Sequence, residues 1–122
     1  MNKEIENVIK KSGACEDYIV ICDHASNNIP IEYENLGISK KDLESHRAFD
    51  LGASEVATEL SNLLSCSLVM ANFSRLLIDP NRGKDDPTLI PKLSEGKIIK
   101  GNINISMSED DVERSKRVHR FY

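Results

Sequence analysis

Tryptophan is absent from the 122 residues, and the remaining aromatic rings are three phenylalanines and three tyrosines. So few rings, with no basic stripe beside them, exclude the stacking and phosphate-gripping surface that nucleic-acid binding needs. No apolar run approaches the ~20 residues of a membrane-spanning helix. The opening stretch MNKEIENVIKKSG also lacks the apolar core of an export signal. Cysteine is scarce and unpaired: Cys15, Cys22 and Cys66 lie far apart with no Cys-x-x-Cys. An odd set in a chain without an export signal is expected to be reduced thiols in a cytoplasm. Cys22, inside an apolar run, reads as core.

What is present fits one small domain. The net charge of −4 is unevenly spread. Residues 1–61 carry 6 Lys/Arg against 12 Asp/Glu, whereas residues 62–122 carry 10 against 8. An anionic substrate is therefore expected in the second half.

The pattern predicts βαβ after a short leader. Residues 3–11 read as a short helix. Tyr18–Cys22 (YIVIC) is an apolar run without alternation, as in a strand buried on both faces. From Asp50 to Leu64, Ala53, Val56, Ala57, Leu60, Leu63 and Leu64 recur at helical spacing. Ser67–Ala71 is a second strand, parallel to the first if the crossover is the usual one. Leu76–Asp79 reads as a third strand or an extension of the second. Residues 83–106 look like a long loop with a short strand at Lys97–Ile99. A last helix is expected to open at Ser108, with Asp111 three residues on and Met107 and Val112 placed as a staple.

Four polar constellations compete for a chemical role. SRLLIDPNR, Ser74 to Arg82, brings two arginines, Asp79 and Asn81 to the end of an apolar triplet. Asp79 supplies one charge for two guanidiniums, which leaves one arginine for an anionic ligand. Arg75 and Arg82 can each grip a carboxylate with two parallel bonds. CDHASNNIP, Cys22 to Pro30, sets His24 and Asn27 directly after a strand, at a spacing that lets both reach one ion or merely close a turn. HRAFDLGA places His46 and Asp50 four apart, as a His–carboxylate pair on one helix face or with Asp50 as the helix cap. We read the cap as the stronger role. In the last segment, Asp110–Arg114 and Glu113–Arg117 are i,i+4 pairs that read as a solvated face.

These motifs, with LGIS and IKGNINIS between and after them, occur in the order seen in the N-formylglutamate amidohydrolase family, which the chain resembles from about Ile19 to Tyr122. The resemblance implies a phosphorylase/hydrolase-like α/β fold, a three-layer α/β/α sandwich on a largely parallel or mixed sheet, similar to zinc carboxypeptidases and aspartoacylases. It implies zinc, with His24 as a ligand and Asn27 at the position where those relatives carry a glutamate. Asn81 and Arg82 would hold the carboxylate of a small anionic N-acyl amino acid. Arg75 would hold a second carboxylate or polarise the scissile carbonyl, with Asp50, Asp79 and His46 in support. Members of that family are longer, and their further strands, histidine motif and acidic residues have no counterpart here. The chain is thus expected to be an incomplete amidohydrolase domain, inactive alone. The alternatives are a non-catalytic carboxylate-binding module and a fragment that associates with itself or with a complementing chain.

Overall fold

The structure, a computed structural model, describes residues 6–122. Three strands make the main sheet: β1 (Val8–Lys11), β2 (Cys15–Cys22) and β3 (Cys66–Ala71), in the order β1-β3-β2. β2 and β3 run parallel, with Ile19 opposite Ser67 and Cys22 opposite Met70, while β1 pairs antiparallel to β3. The sheet is therefore mixed. The helix expected over residues 3–11 is not formed: residues 8–11 are β1, and residues 3–5 lie outside the described residues. Backbone pairing with an open side of β3 outweighs the local helix preference of Glu and Lys.

The predicted helix forms as α2 (Ala53–Leu64), following a four-residue helix α1 (Lys40–Leu43). It lays Ala57 against Leu68 and Met70 of β3. β2 departs from its expected burial. Tyr18, Ile19 and Ile21 are each more than 60% exposed. Val20 and Cys22 pack toward α2, whereas Ile19 and Ile21 lie on the opposite face, which no helix among the described residues covers.

The larger core lies immediately after β3. Leu76, Leu77 and Ile78 are buried among Leu36, Phe73, Leu89, Ile99 and Phe121. Leu76–Asp79 is not a strand but a buried turn. The Leu77 N–H donates to Ser74 O at 3.0 Å and the Asp79 N–H to Leu89 O at 2.7 Å. The carbonyls are met by side chains: Asn102 Nδ2 donates to Leu76 O at 2.7 Å, and Arg117 Nη1 to Leu77 O at 3.1 Å. A short apolar run looks alike in a strand and in a buried turn; these partners, distant in sequence, decide between them.

The second half is built of short pieces. Residues Ile31–Gly37 form a kinked segment in which Glu34, Asn35 and Leu36 are left-handed, and it touches the 3-10 turn Lys100–Asn102 where Gly101 packs on Leu36. A Cβ on Gly101 would lie 2.7 Å from Leu36 Cα, so the approach admits no side chain. The hairpin β4 (Leu93–Ser94) and β5 (Lys97–Ile98) contains the short strand expected near Lys97.

The last helix, α3 (Val112–Phe121), starts later than Ser108. Asp111 is its N-cap, accepting the Arg114 N–H at 2.9 Å, and exposed Met107 and Val112 form no staple. Nor is its charged face solvated. Arg114 is buried and reaches the Lys84 carbonyl. Arg117 is 2% exposed, bonded to Glu113, Leu77 O and Asn102 Oδ1, with its guanidinium 4.9 Å from the Tyr33 ring centre. Among the described residues no helix is long and apolar enough to cross a membrane.

Arg117→Met keeps much of the volume and removes the donors. Each buried acceptor left unpaired costs about 1–3 kcal/mol. The urea midpoint should therefore fall, by an amount that corresponds to well over the ~0.5 kcal/mol typical of surface changes. An unchanged midpoint would show that the Leu77 and Asn102 oxygens do not need this guanidinium.

Candidate functional site

Three of the sequence motifs are stitched together by backbone. The Asp50 N–H donates to His24 O at 2.9 Å, the Ser74 N–H to Asn28 O at 2.7 Å, and Ser74 Oγ to Ala48 O at 2.8 Å. The loop after β2, the turn before α2 and the buried turn after β3 thus meet at one place.

Their side chains close a ring of alternating charge. His24 Nε2 lies 2.7 Å from Asp79 Oδ1, and its Nδ1 lies 3.3 Å from Asp50 Oδ2. Arg75 bridges the same two carboxylates, 3.3 Å from Asp50 Oδ1 and 3.3 Å from Asp79 Oδ2. His24 and Asp79 are buried, whereas Asp50 is open to solvent. The Asp79 hydrogen bond raises the pKa of His24 above its ordinary value, against the opposing effect of burial. Burial pushes Asp79 upward, but the His24 bond, the Asn81 N–H at 3.0 Å and the neighbouring positive charges leave it below the usual carboxylate value. The 2.7 Å contact keeps a proton on Nε2 when the ring is neutral, which leaves the lone pair on Nδ1, toward Asp50.

Several site expectations change. Asp50 does not cap α2; Gly52 occupies that position, and the Asp50 carboxylate turns to His24 and Arg75. His46 and Asp50 share no helix face, because residues 45–49 form a turn, and His46 Nε2 instead bonds Glu95 Oε2 at 2.7 Å. Arg75 is no spare cation, since two carboxylates hold it. Arg82 is freer: its Nε stands 3.8 Å from Asp79, and its side chain is about half exposed. Asn81 lies beside it at the surface. Asn27 Nδ2 donates to Leu43 O at 2.8 Å, which ties the loop after β2 to the end of α1 and closes no local turn.

Arg75, Asp79 and Arg82 line a cleft of about 250 Å³ together with His46, Arg47 and Glu95. That volume suits a ligand of amino-acid size and falls below the ~300–1,000 Å³ of drug-sized pockets. Sequence reasoning missed Arg47 and Glu95. Arg47 stood beside His46 in the motif, and Glu95-Gly96 is an x-Gly pair between two short strands, a hairpin signal.

A histidine whose far nitrogen is fixed by a buried carboxylate has the outer-shell geometry of a metal ligand. His24 fits that part, and Asp50 lies next to its Nδ1. A third ligand is not at hand: among the described residues no three His, Cys, Asp or Glu side chains gather to hold a metal. The residues present therefore fit part of a zinc site and not the whole.

Fold and site together define a mixed α/β protein with an arginine-lined cleft beside a carboxylate–histidine pair. The family model for N-formylglutamate amidohydrolase matches residues 16–122, and the chain belongs to that family. A crystal structure of the gene product Atu2144 from Agrobacterium tumefaciens is similar, at 37% identity and a TM-score of 0.87. The match covers 96% of this chain and 45% of that one, so the chain spans less than half the length of its structural relative. No curated protein matches it.

The pKa directions set a pH profile. His24, raised on folding, contributes stability in full below the ordinary histidine value of about 6.5 and loses it as pH rises through the raised value. Asp79, lowered on folding, contributes above about 3.9 and loses it as pH falls through its depressed value. The melting temperature should fall on the alkaline side in wild type, and this fall should flatten in His24→Gln. NMR titration should place His24 above the ordinary value and bring it down in Asp79→Asn; a His24 that titrates normally in both would contradict the ring.

Proposed function

We propose that this chain is part of a zinc-assisted amidohydrolase that removes an N-acyl group, formyl in the simplest case, from an acidic amino acid. The observation that carries the reading is the buried Asp79–His24 hydrogen bond beside a cleft that Arg82 lines. The reaction adds water across the amide, giving a carboxylic acid and the free amine. Zinc, when bound, would act as a Lewis acid that activates water and polarises the acyl carbonyl. His24 Nδ1 would be one ligand, with Asp50 next to it. Asn27, assigned a ligand role by resemblance, has its amide nitrogen committed to Leu43. The remaining ligands and the general base would come from polypeptide corresponding to the rest of the relative's length.

The residues of this chain have separate tasks. Asp79 holds the His24 ring and its proton. Arg75 locks Asp79 and Asp50 in place. Arg82 and Asn81 bind the substrate carboxylate, Arg82 by its planar fork. We read the mixed sheet, with α2 on one face, as the start of a three-layer α/β/α sandwich similar to carboxypeptidases and aspartoacylases. The unpartnered thiols suit the cytoplasm. The exposed apolar residues of β2 would be covered by a complementing segment or by self-association. The second reading, a carboxylate-binding module without catalysis, is favoured by the incomplete ligand set.

Two measurements test this. Arg82→Lys should weaken binding of N-formylglutamate about tenfold, or 1.4 kcal/mol. Arg82→Ala should cost more, since charged hydrogen bonds contribute about 1.5–3 kcal/mol. Equal affinity in all three proteins would reject the clamp. The purified chain, assayed with N-formylglutamate and zinc, should turn over far below the ~1 s⁻¹ at the lower end of ordinary enzymes. Turnover at or above that rate would mean that the catalytic set is complete within these residues.

A further inference from the structure

Two residues, Glu95 and Gly96, join β4 to β5, with φ of 47° and 78°. Such a turn with both central residues at positive φ favours Asn-Gly or Asp-Gly. Glutamate is strained there, and asparagine would make the same turn at lower cost. The backbone alone therefore gives no reason for a glutamate at this tip.

Its side chain gives one. Glu95 Oε2 lies 2.7 Å from His46 Nε2 and 3.7 Å from Arg47 Nε. Arg47 Nε is buried and has no hydrogen-bond partner, although Nη1 of the same side chain bonds Asp42 at 3.2 Å. A buried N–H without an acceptor is costly. His46 and Arg47 thus outline a carboxylate position that Glu95 fills incompletely. The contact is also easily given up, because the His46 and Glu95 side chains are both more than half exposed and exposed ion pairs contribute little.

Charge points the same way. Arg47, Arg75 and Arg82 line the cleft against Asp79 and Glu95. Asp42 on Arg47 Nη1 and Asp50 on Arg75 also pair with these guanidiniums, so what a departing Glu95 opens is the Nε edge of Arg47, a place that a ligand with two carboxylates can fill and a ligand with one, held at Arg82, cannot. Arg75 cannot take the second carboxylate without giving up Asp50 or Asp79.

We propose that His46 and Arg47 form the subsite for the side-chain carboxylate of the acidic substrate, and that Glu95 occupies it in the free protein and leaves when substrate binds. This rests on the reading of the cleft as an N-acyl amino-acid site, and it makes residues 46, 47 and 95 the source of selectivity for a dicarboxylate.

The test is calorimetric titration of the chain with N-formylglutamate and with N-formylglutamine, an uncharged isostere. Glu95→Asn removes the competing carboxylate and eases the turn, so its melting temperature should not drop. It should bind N-formylglutamate about two- to fivefold tighter than wild type does, about the weight of one exposed ion pair, with N-formylglutamine unchanged. Arg47→Met and His46→Gln, each placed on the Glu95→Asn background, should reduce the preference for N-formylglutamate. Arg82→Ala should weaken both ligands alike. If Glu95→Asn changes neither ligand, or both equally, the subsite is wrong while the Arg82 clamp stands. If neither ligand binds to wild type or to Glu95→Asn, the clamp and the subsite both fall.

Discussion

The carbonyls of Leu76 and Leu77 are buried where no strand can reach them, and the second half of the chain is arranged to supply their donors. Asn102 and Arg117 provide these from two separate elements. To bring them in, the Gly101 backbone must lie against Leu36, and α3 must bury a guanidinium against Tyr33. Asp79 follows the same turn, so its position relative to His24 is inherited from this network. A buried backbone polar group that is not part of a sheet or helix is a demanding constraint, and here it gives the site its rigid floor.

Above that floor, the arginines divide by the number of acids around them. Arg75 has two carboxylates and serves as a strut. Arg117 has one acid and a set of carbonyls, and serves as a pin. Arg82 has one distant carboxylate and faces the cleft. Three residues with the same chemistry thus perform different work, and burial and partner count separate them better than sequence position does.

Legibility in the sequence follows the range of the deciding contact. The α2 face could be read because its period is local. The parallel partner of β2 could be read because a strand–helix–strand run has few ways to close. The meeting of the His24, Asp50 and Asp79 segments was visible only as separate clusters of polar residues. β1 was misread because pairing with β3, some sixty residues away, outweighs its own propensities. Leu76–Asp79 was misread because strand and buried turn look alike until Asn102 and Arg117 are placed. Asp50 looked like a cap because a cap needs only its neighbours, whereas its actual partners come from two other segments. Glu95 was overlooked because its strands are two residues long and carry almost no pattern.

The Arg117 pin also sets an order of events during folding. Its bond to Leu77 spans 40 residues, the Asn102 bond to Leu76 spans 26, and the bond from Asn7 to the Arg120 carbonyl spans 113. Loops of that size must close before their contacts repay the lost entropy. On a ribosome, β2, α2 and β3 emerge long before α3. The sheet can therefore pair while the buried turn still lacks its donors. Until residue 117 is available, the Leu77 carbonyl and the Asn102 side-chain oxygen lack their donor, and the apolar residues around them are open to unintended partners.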